Sequence, residues 1–306
     1  MRRRFVLGII WSVIAMILTA LLIMGLVSRT SGDGDDWGEQ HFGGEKMSGI
    51  TKHEILDGDV GEIEVSLTSL AMELDKGDKA GVEVHYLGGA EKFTDAKISG
   101  GKLLVNQFAS MGFSGLRHPK IVVSVPKKKY DQLAAKLTSG QFKVNEVSAG
   151  TMNVEASSGA IDMDEIKADF MSVKTSSGRI KIDDCDTDTL SVRANSGAIK
   201  VTDVKCKKLS AETTSGSLKF EGKISQADVK ASSGAISFED DIPLTADSSF
   251  MASSGLVNLK LTPSAEYAFE TSVTSGLVKN KLKSNRNGSV LIKASTTSGM
   301  IKIEDN

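Results

Sequence analysis

Carboxylates, lysines, imidazoles and thiols are where chemistry would begin in this chain of 306 residues. The densest acidic group is Asp162, Asp164 and Glu165, with Asp183, Asp184, Asp186 and Asp188 about one repeat further on. Stacked carboxylates of this kind repel unless they are solvated or bound to a cation, and polysaccharide-cleaving enzymes use such groups along one face. Lys205, Lys207 and Lys208 follow, where their charge offsets the acidic turn. No basic residue is placed to abstract a proton, so an enzyme is not expected.

The remaining reactive side chains point the same way. His41, His53, His85 and His118 are scattered, without an HExxH pair or metal-ligand spacing. Neither a G-x-S-x-G elbow nor a P-loop occurs. No catalytic residue, metal or cofactor is therefore assigned. Cys185 and Cys206 are too few for a disulfide-stapled scaffold or a four-ligand zinc site; a single disulfide and two inert loop thiols are both compatible with their spacing.

Lys181, Lys200 and Lys219 differ from these because they recur at an interval of 19 residues. If each interval is one turn of a coil, the three ammonium groups stack on one face. Like charges in a row destabilise unless they splay into water or meet an anion. Lysines also discourage edge pairing on exposed strands. The functional expectation is a basic stripe that binds an anionic envelope polymer or lipid headgroup.

A coil of that length is what the chain encodes. The glycines of successive Ser-Gly pairs are Gly140, Gly159, Gly178, Gly197, Gly216, Gly234, Gly255, Gly276 and Gly299, at intervals of 19, 19, 19, 19, 18, 21, 21 and 23. A fixed period near 20 residues signals a solenoid. Before the glycine, apolar residues alternate as in Met152, Val154 and Ala156; after it they alternate again, as in Ile161 and Met163. Period two on both sides of a corner predicts two strands per coil, with Ser-Gly making the bend.

One such coil cannot stand alone. Ordering its backbone costs about 1–2 kcal/mol per residue, and each large apolar side chain returns about 1.5–3 kcal/mol. Stacked coils about 4.8 Å apart share cores and backbone ladders, giving a rod of roughly 40 Å from Gly140 to Gly299. The fold class is thus all-β, a β-solenoid resembling a parallel β-helix with coils of about 19 residues. Ala96 and Ile98 before Gly101, with Leu103 and Val105 after it, predict an earlier coil in the same phase. The ending TTSGMIKIEDN predicts an open edge free to pair with a partner.

Upstream, Arg2, Arg3 and Arg4 precede Phe5–Val27, 23 residues without a charge. At about 1.5 Å per residue this spans a hydrocarbon core of about 30 Å. It is longer than a signal-peptide core and lacks a small-x-small cleavage site. The expected organisation is a cytoplasmic stub (1–4), a transmembrane helix (5–27), a flexible linker (28–47), a β cap with the first coils (48–130) and the Ser-Gly solenoid (131–306). The arginines place the carboxyl-terminal domain outside the cytoplasm. A net charge of −2 argues against a nucleic-acid partner.

The segment IVVSVPKKKYDQLAAKLTSGQFKV, followed by serial SSGxI corners, resembles a family of bacterial envelope proteins named as adhesins and without an assigned function. The resemblance covers about residues 50–306, and the amino-terminal anchor is similar to a membrane-bound member encoded beside a cell-envelope stress-sensing system. It implies an extracytoplasmic β-solenoid and supplies no catalytic residues. The expected function is a non-catalytic, envelope-associated binding, adhesion or scaffold module, whose partner is an anionic envelope polymer or a membrane protein. The alternatives are a polysaccharide-acting solenoid enzyme and a structural polymer stacking through the carboxyl-terminal edge.

Overall fold

A computed structural model describes residues 50–108 and 119–306. The expected membrane span, the linker and most of the 107–118 insertion lie outside these residues. Among the described residues no helix is long and apolar enough to cross a membrane.

The strands are β1 (Ile50–Leu56), β2 (Glu62–Leu67), β3 (Ala71–Gly77), β4 (Val82–Leu87), β5 (Thr94–Ser99), β6 (Lys102–Gln107), β7 (Lys120–Pro126), β8 (Lys129–Leu137), β9 (Gln141–Asn145), β10 (Ser148–Asp240), β11 (Ser248–Leu261), β12 (Tyr267–Asn280) and β13 (Val290–Asp305). They form one sheet, wound upon itself. β10 carries several windings without a break, because each corner keeps the backbone extended enough to pair with the coils on either side.

The Ser-Gly corner exists because successive coils almost touch there. A Cβ built on Gly159 would lie 2.3 Å from the Gly140 carbonyl oxygen, and one on Gly178 2.0 Å from that of Gly159. The contact repeats at every later corner, so no side chain fits the row. Several of these glycines also have a φ that other residues rarely adopt, such as 133° at Gly197 and 137° at Gly255.

Inside the coil the alternating residues are buried as their period requires: Met152, Val154, Ala156, Ile161 and Met163 in one winding, and Leu190, Val192, Ala194, Ile199 and Val201 in the next but one. The coil also has a third, shorter inward side that the two-strand pattern omits. After a second corner, Ile166 and Ala168, Cys185 and Thr187, and Val204 and Cys206 turn inward and are buried. That corner carries Glu146, Glu165, Asp184 and Asp203 at φ 43–52°. A row of glycines does not mark it: glutamate or aspartate takes the left-handed conformation there, and at Gly222 a glycine occupies the corner.

Both ends depart from sequential stacking. At the amino-terminal end β2 pairs in parallel with β6 and β8, and β3 with β7 and β9. The β2–β3 winding thus lies between the later β6–β7 and β8–β9 windings. Antiparallel β5 covers β6, while β4 and then β1 cover β7. The corner expected at Gly101 is a hairpin instead: Ile98 faces Leu103 and Ala96 faces Val105. Gly100 and Gly101, at φ 58° and 74°, make its two-residue turn.

At the other end β13 pairs with both β11 and β12. The final strand is therefore interior, and β12 is the edge, which corrects the expectation of an open edge at TTSGMIKIEDN. Apolar content explains the exchange. The inward Ile292, Ala294, Ile301 and Ile303 of β13 are buried, whereas β12 turns Thr271 and Asn280 inward and leaves them exposed.

Candidate functional site

Glycine stacking fixes the register of β10 and carries Lys181, Lys200 and Lys219 to the same point, three residues past the corner, in three adjacent coils. Their side chains face outward. Two residues further along each strand, on the same face, runs a second row: Asp183, Thr202 and Glu221. Lys181 Nζ lies 3.5 Å from Asp183, and Lys219 Nζ 3.6 Å from Glu221. Beside Lys200 stands Thr202, whose hydroxyl donates to Asp183 at 2.5 Å. The central lysine of the row thus has no ion-pair partner among the described residues, and the face is a basic column partly matched by an acidic one. Asp183 belongs to the acidic group read from the sequence; period-two alternation places it, Thr202 and Glu221 on the same face as the lysines.

The acidic turn is partly neutralised by Lys205 and Lys207. Lys205 Nζ lies 3.0 Å from Asp186 and Lys207 Nζ 2.7 Å from Asp188, one coil away in each case. Asp162 accepts from Gln141 at 2.8 Å and lies 3.4 Å from Arg179. Outward charges four residues before the corner pair between coils too, Lys174 with Glu155 and Arg193 with Glu212. Among the described residues no three His, Cys, Asp or Glu side chains converge on a point where a metal could bind.

The cysteines are core residues rather than loop thiols. Both are buried and free, and burial pushes each thiol up to about 12. Cys185 comes seven residues after its glycine and Cys206 nine after its own, so they sit diagonally on neighbouring coils. One coil spacing combined with two residues of strand separates their backbones by about 8 Å, beyond disulfide reach. His53 and His85 stack face to face at 4.4 Å on the paired β1 and β4, and burial lowers the pKa of His85. His41 and His118 lie outside the described residues.

Two hollows follow the coil. A cleft of about 750 Å³ lies over the third side, where Ser148 and Ala149 are small between charged neighbours such as Lys129, Glu165 and Asp169. Lys129 reaches across it to Asp169 at 2.8 Å. A trough of about 490 Å³ runs along the strand before the Ser-Gly corner, lined by hydroxyls of Ser66, Thr138, Ser157 and Ser176 and by Lys174 and Arg193. Among the described residues no lining hydroxyl of either hollow hydrogen-bonds to a lysine or carboxylate side chain. Both are open to solvent; the trough is mainly polar, whereas the cleft is also lined by apolar residues such as Val125 and Pro126.

Crystal structures of similar fold include a proposed adhesin from Bacteroides fragilis NCTC 9343, 10% identical, covering 83% of this chain and 96% of its own, with a TM-score of 0.46. A proposed lipid-binding protein from Parabacteroides distasonis ATCC 8503 is 17% identical, covers 82% and 96%, and has a TM-score of 0.47. A proposed adhesin from the same organism is 12% identical, covers 83% and 98%, and has a TM-score of 0.40. No curated protein matches the chain. Residues 60–304 match the Toastrack DUF4097 family, a span that takes in the cap, the windings and the interior final strand, and the chain belongs to that family.

Proposed function

We propose that the protein is a non-catalytic binding module of the cell envelope, held by residues 5–27 in the membrane with its solenoid outside, and that it takes an anionic envelope polymer on the face bearing Lys181, Lys200 and Lys219. The observation that carries this reading is the lysine row itself. Three lysines stand in register on adjacent strands about 4.8 Å apart, and among the described residues the central one makes no ion pair, the nearby Asp183 being bonded to Thr202. The flanking pairs with Asp183 and Glu221 are partly exposed, with lysine side chains 46% and 48% accessible. Exposed pairs contribute about 0–1 kcal/mol, so an incoming polyanion competes with them readily. The anchor and a place in the envelope stress response belong to the same proposal and rest on the amino-terminal sequence and the resemblance described above.

The test uses the full chain in detergent and inorganic polyphosphate as the probe. Binding is expected to weaken between low and high salt, because phosphate contacts release counterions. Replacing all three lysines with Gln should abolish the salt-sensitive part. Salt-independent binding that survives the triple replacement rejects the lysine face. Anionic vesicles binding where polyphosphate does not would assign the same face to lipid headgroups. For the anchor, protease added to intact cells should degrade the solenoid and spare the extreme amino terminus.

A further inference from the structure

We propose that the edge strand β12 pairs with β12 of a second copy across a two-fold axis, closing a dimer through the carboxyl-terminal ends of two solenoids. The geometry of the edge carries this. The Phe269 N–H donates to Ser284 Oγ at 3.0 Å, so it points away from β13. Strand alternation turns the N–H and C=O of Thr271 and Val273 the same way. Past the corner, the Lys281 N–H donates to the Ile303 carbonyl at 2.9 Å and points toward β13. By alternation the N–H and C=O of Val278 and Asn280 then point outward. The edge therefore offers Thr271 and Val273 on one arm and Val278 and Asn280 on the other. Among the described residues no strand pairs with that side of β12.

These four residues match each other. An axis between Ser275 and Gly276 lays one copy's first arm antiparallel to the other's second arm. Val273 then faces Val278 and Thr271 faces Asn280, each pair exchanging two hydrogen bonds, for about eight across the interface. On the core side Val273 and Val278 are only partly buried apolar residues, and the pairing stops short of Phe269 and Tyr267, whose outward N–H and C=O are taken by Ser284 Oγ and the Asn285 N–H of the same chain. On the outer side Glu270, which pairs with Lys293 at 3.2 Å within its own copy, falls opposite Lys281, which pairs with Glu304 at 3.3 Å. The corresponding positions of an earlier coil hold Asp228 and Glu239, which would repel. Leu256, Met300 and Leu277 form an exposed apolar ridge in register on the last three coils, 38%, 37% and 45% accessible, and it ends at this corner. Earlier coils carry Ala160, Arg179, Ala198, Ser217 and Ala235 in that row.

The partner is a second copy in the reverse sense because the two ends are unlike. The amino-terminal end finishes in the antiparallel strands β1 and β5, which offer no continuous edge around a corner. Head-to-tail growth therefore lacks a template, and a self-complementary edge closes at two copies.

Sedimentation of the full chain in detergent should show a concentration-dependent monomer–dimer equilibrium and nothing larger. Val273→Pro removes an outward N–H that the fold does not use, so it should raise the dimer dissociation constant by about tenfold or more while leaving the unfolding midpoint nearly unchanged. Glu270→Lys and Lys281→Glu should each weaken self-association, and mixing the two variants should restore it, since both cross-axis pairs become opposite in charge. A monomer at every concentration, as expected if β12 takes a foreign strand, would overturn the proposal. An open-ended series of species, or dimers indifferent to all three substitutions, would overturn it equally.

Discussion

A methyl group on Gly216 would sit 1.8 Å from the Gly197 carbonyl oxygen, on a backbone with φ 153°. Gly216→Ala must therefore push two coils apart. We expect a loss of roughly 3 kcal/mol, read as a lower urea midpoint. The second corner behaves in the opposite way. Glu165 holds φ 51°, so Glu165→Gly should raise stability by about 0.5–1 kcal/mol. This contrast explains what the sequence revealed at residue level. A glycine required by a neighbouring backbone leaves no alternative and repeats visibly, whereas a left-handed acidic residue is optional and leaves no mark. Asp240 gives a third residue-scale prediction. Burial, foremost, raises its carboxyl from the ordinary 3.8 to about 6. Its folded pKa exceeds the unfolded one, so its contribution is fully present below about pH 4 and is lost as pH rises through about 6. The thermal midpoint should fall across that window. Asp240→Asn, which keeps an acceptor for the Thr262 N–H, should reduce the fall. Part of the slope should persist, because burial raises Asp75 to about 6 as well.

At the scale of elements, the order of strands across the sheet is the feature that can be checked directly. β13 ends the sequence yet pairs on both sides, whereas β12 pairs on one. Hydrogen exchange at dilution low enough to keep the protein monomeric should therefore protect residues 290–305 more than residues 267–280. Sequential stacking predicts the reverse. Alternation and corner spacing identified the two strands on either side of each Ser-Gly corner, including the buried rows around Val192 and Ile199, but not the third side of the coil. They did not reveal the order of the last two coils, because pairing partners of parallel strands are chosen by comparative burial and not by any local signal. Thr271 and Asn280 were the clue, since two polar residues at inward positions mark a coil that belongs outside. The Gly101 hairpin shows the same limit in another form. Apolar alternation on both sides of a glycine reads alike for a hairpin and a corner, and the doubled Gly100–Gly101 pair was the discriminating detail.

For the whole molecule, these crossings change how the rod should come apart. A solenoid stacked in strict sequence order behaves as a row of units joined to nearest neighbours, and its ends fray first. Here each end is interleaved: the β2–β3 winding lies inside the β6–β7 winding, and β13 lies inside β12. Releasing the outer coil at the carboxyl-terminal end leaves the chain on both sides of it still fixed, by β11 and by β13. Loss of that coil thus frees only the β12 segment and its flanking loops, while retaining most of the entropy cost of order. Tyr267 is buried at this end and donates no local fraying signal of its own, since its hydroxyl accepts the Leu244 N–H at 2.7 Å. Cys185 and Cys206 lie buried in the middle windings. In a background with Trp11, Trp37, Tyr86 and Tyr130 all replaced by Phe, Tyr267 emission and thiol labelling should therefore report the same urea midpoint. A Tyr267 transition clearly below the thiol transition would mean that the interleaved end frays like an ordinary terminal repeat, and that the crossing adds no cooperativity.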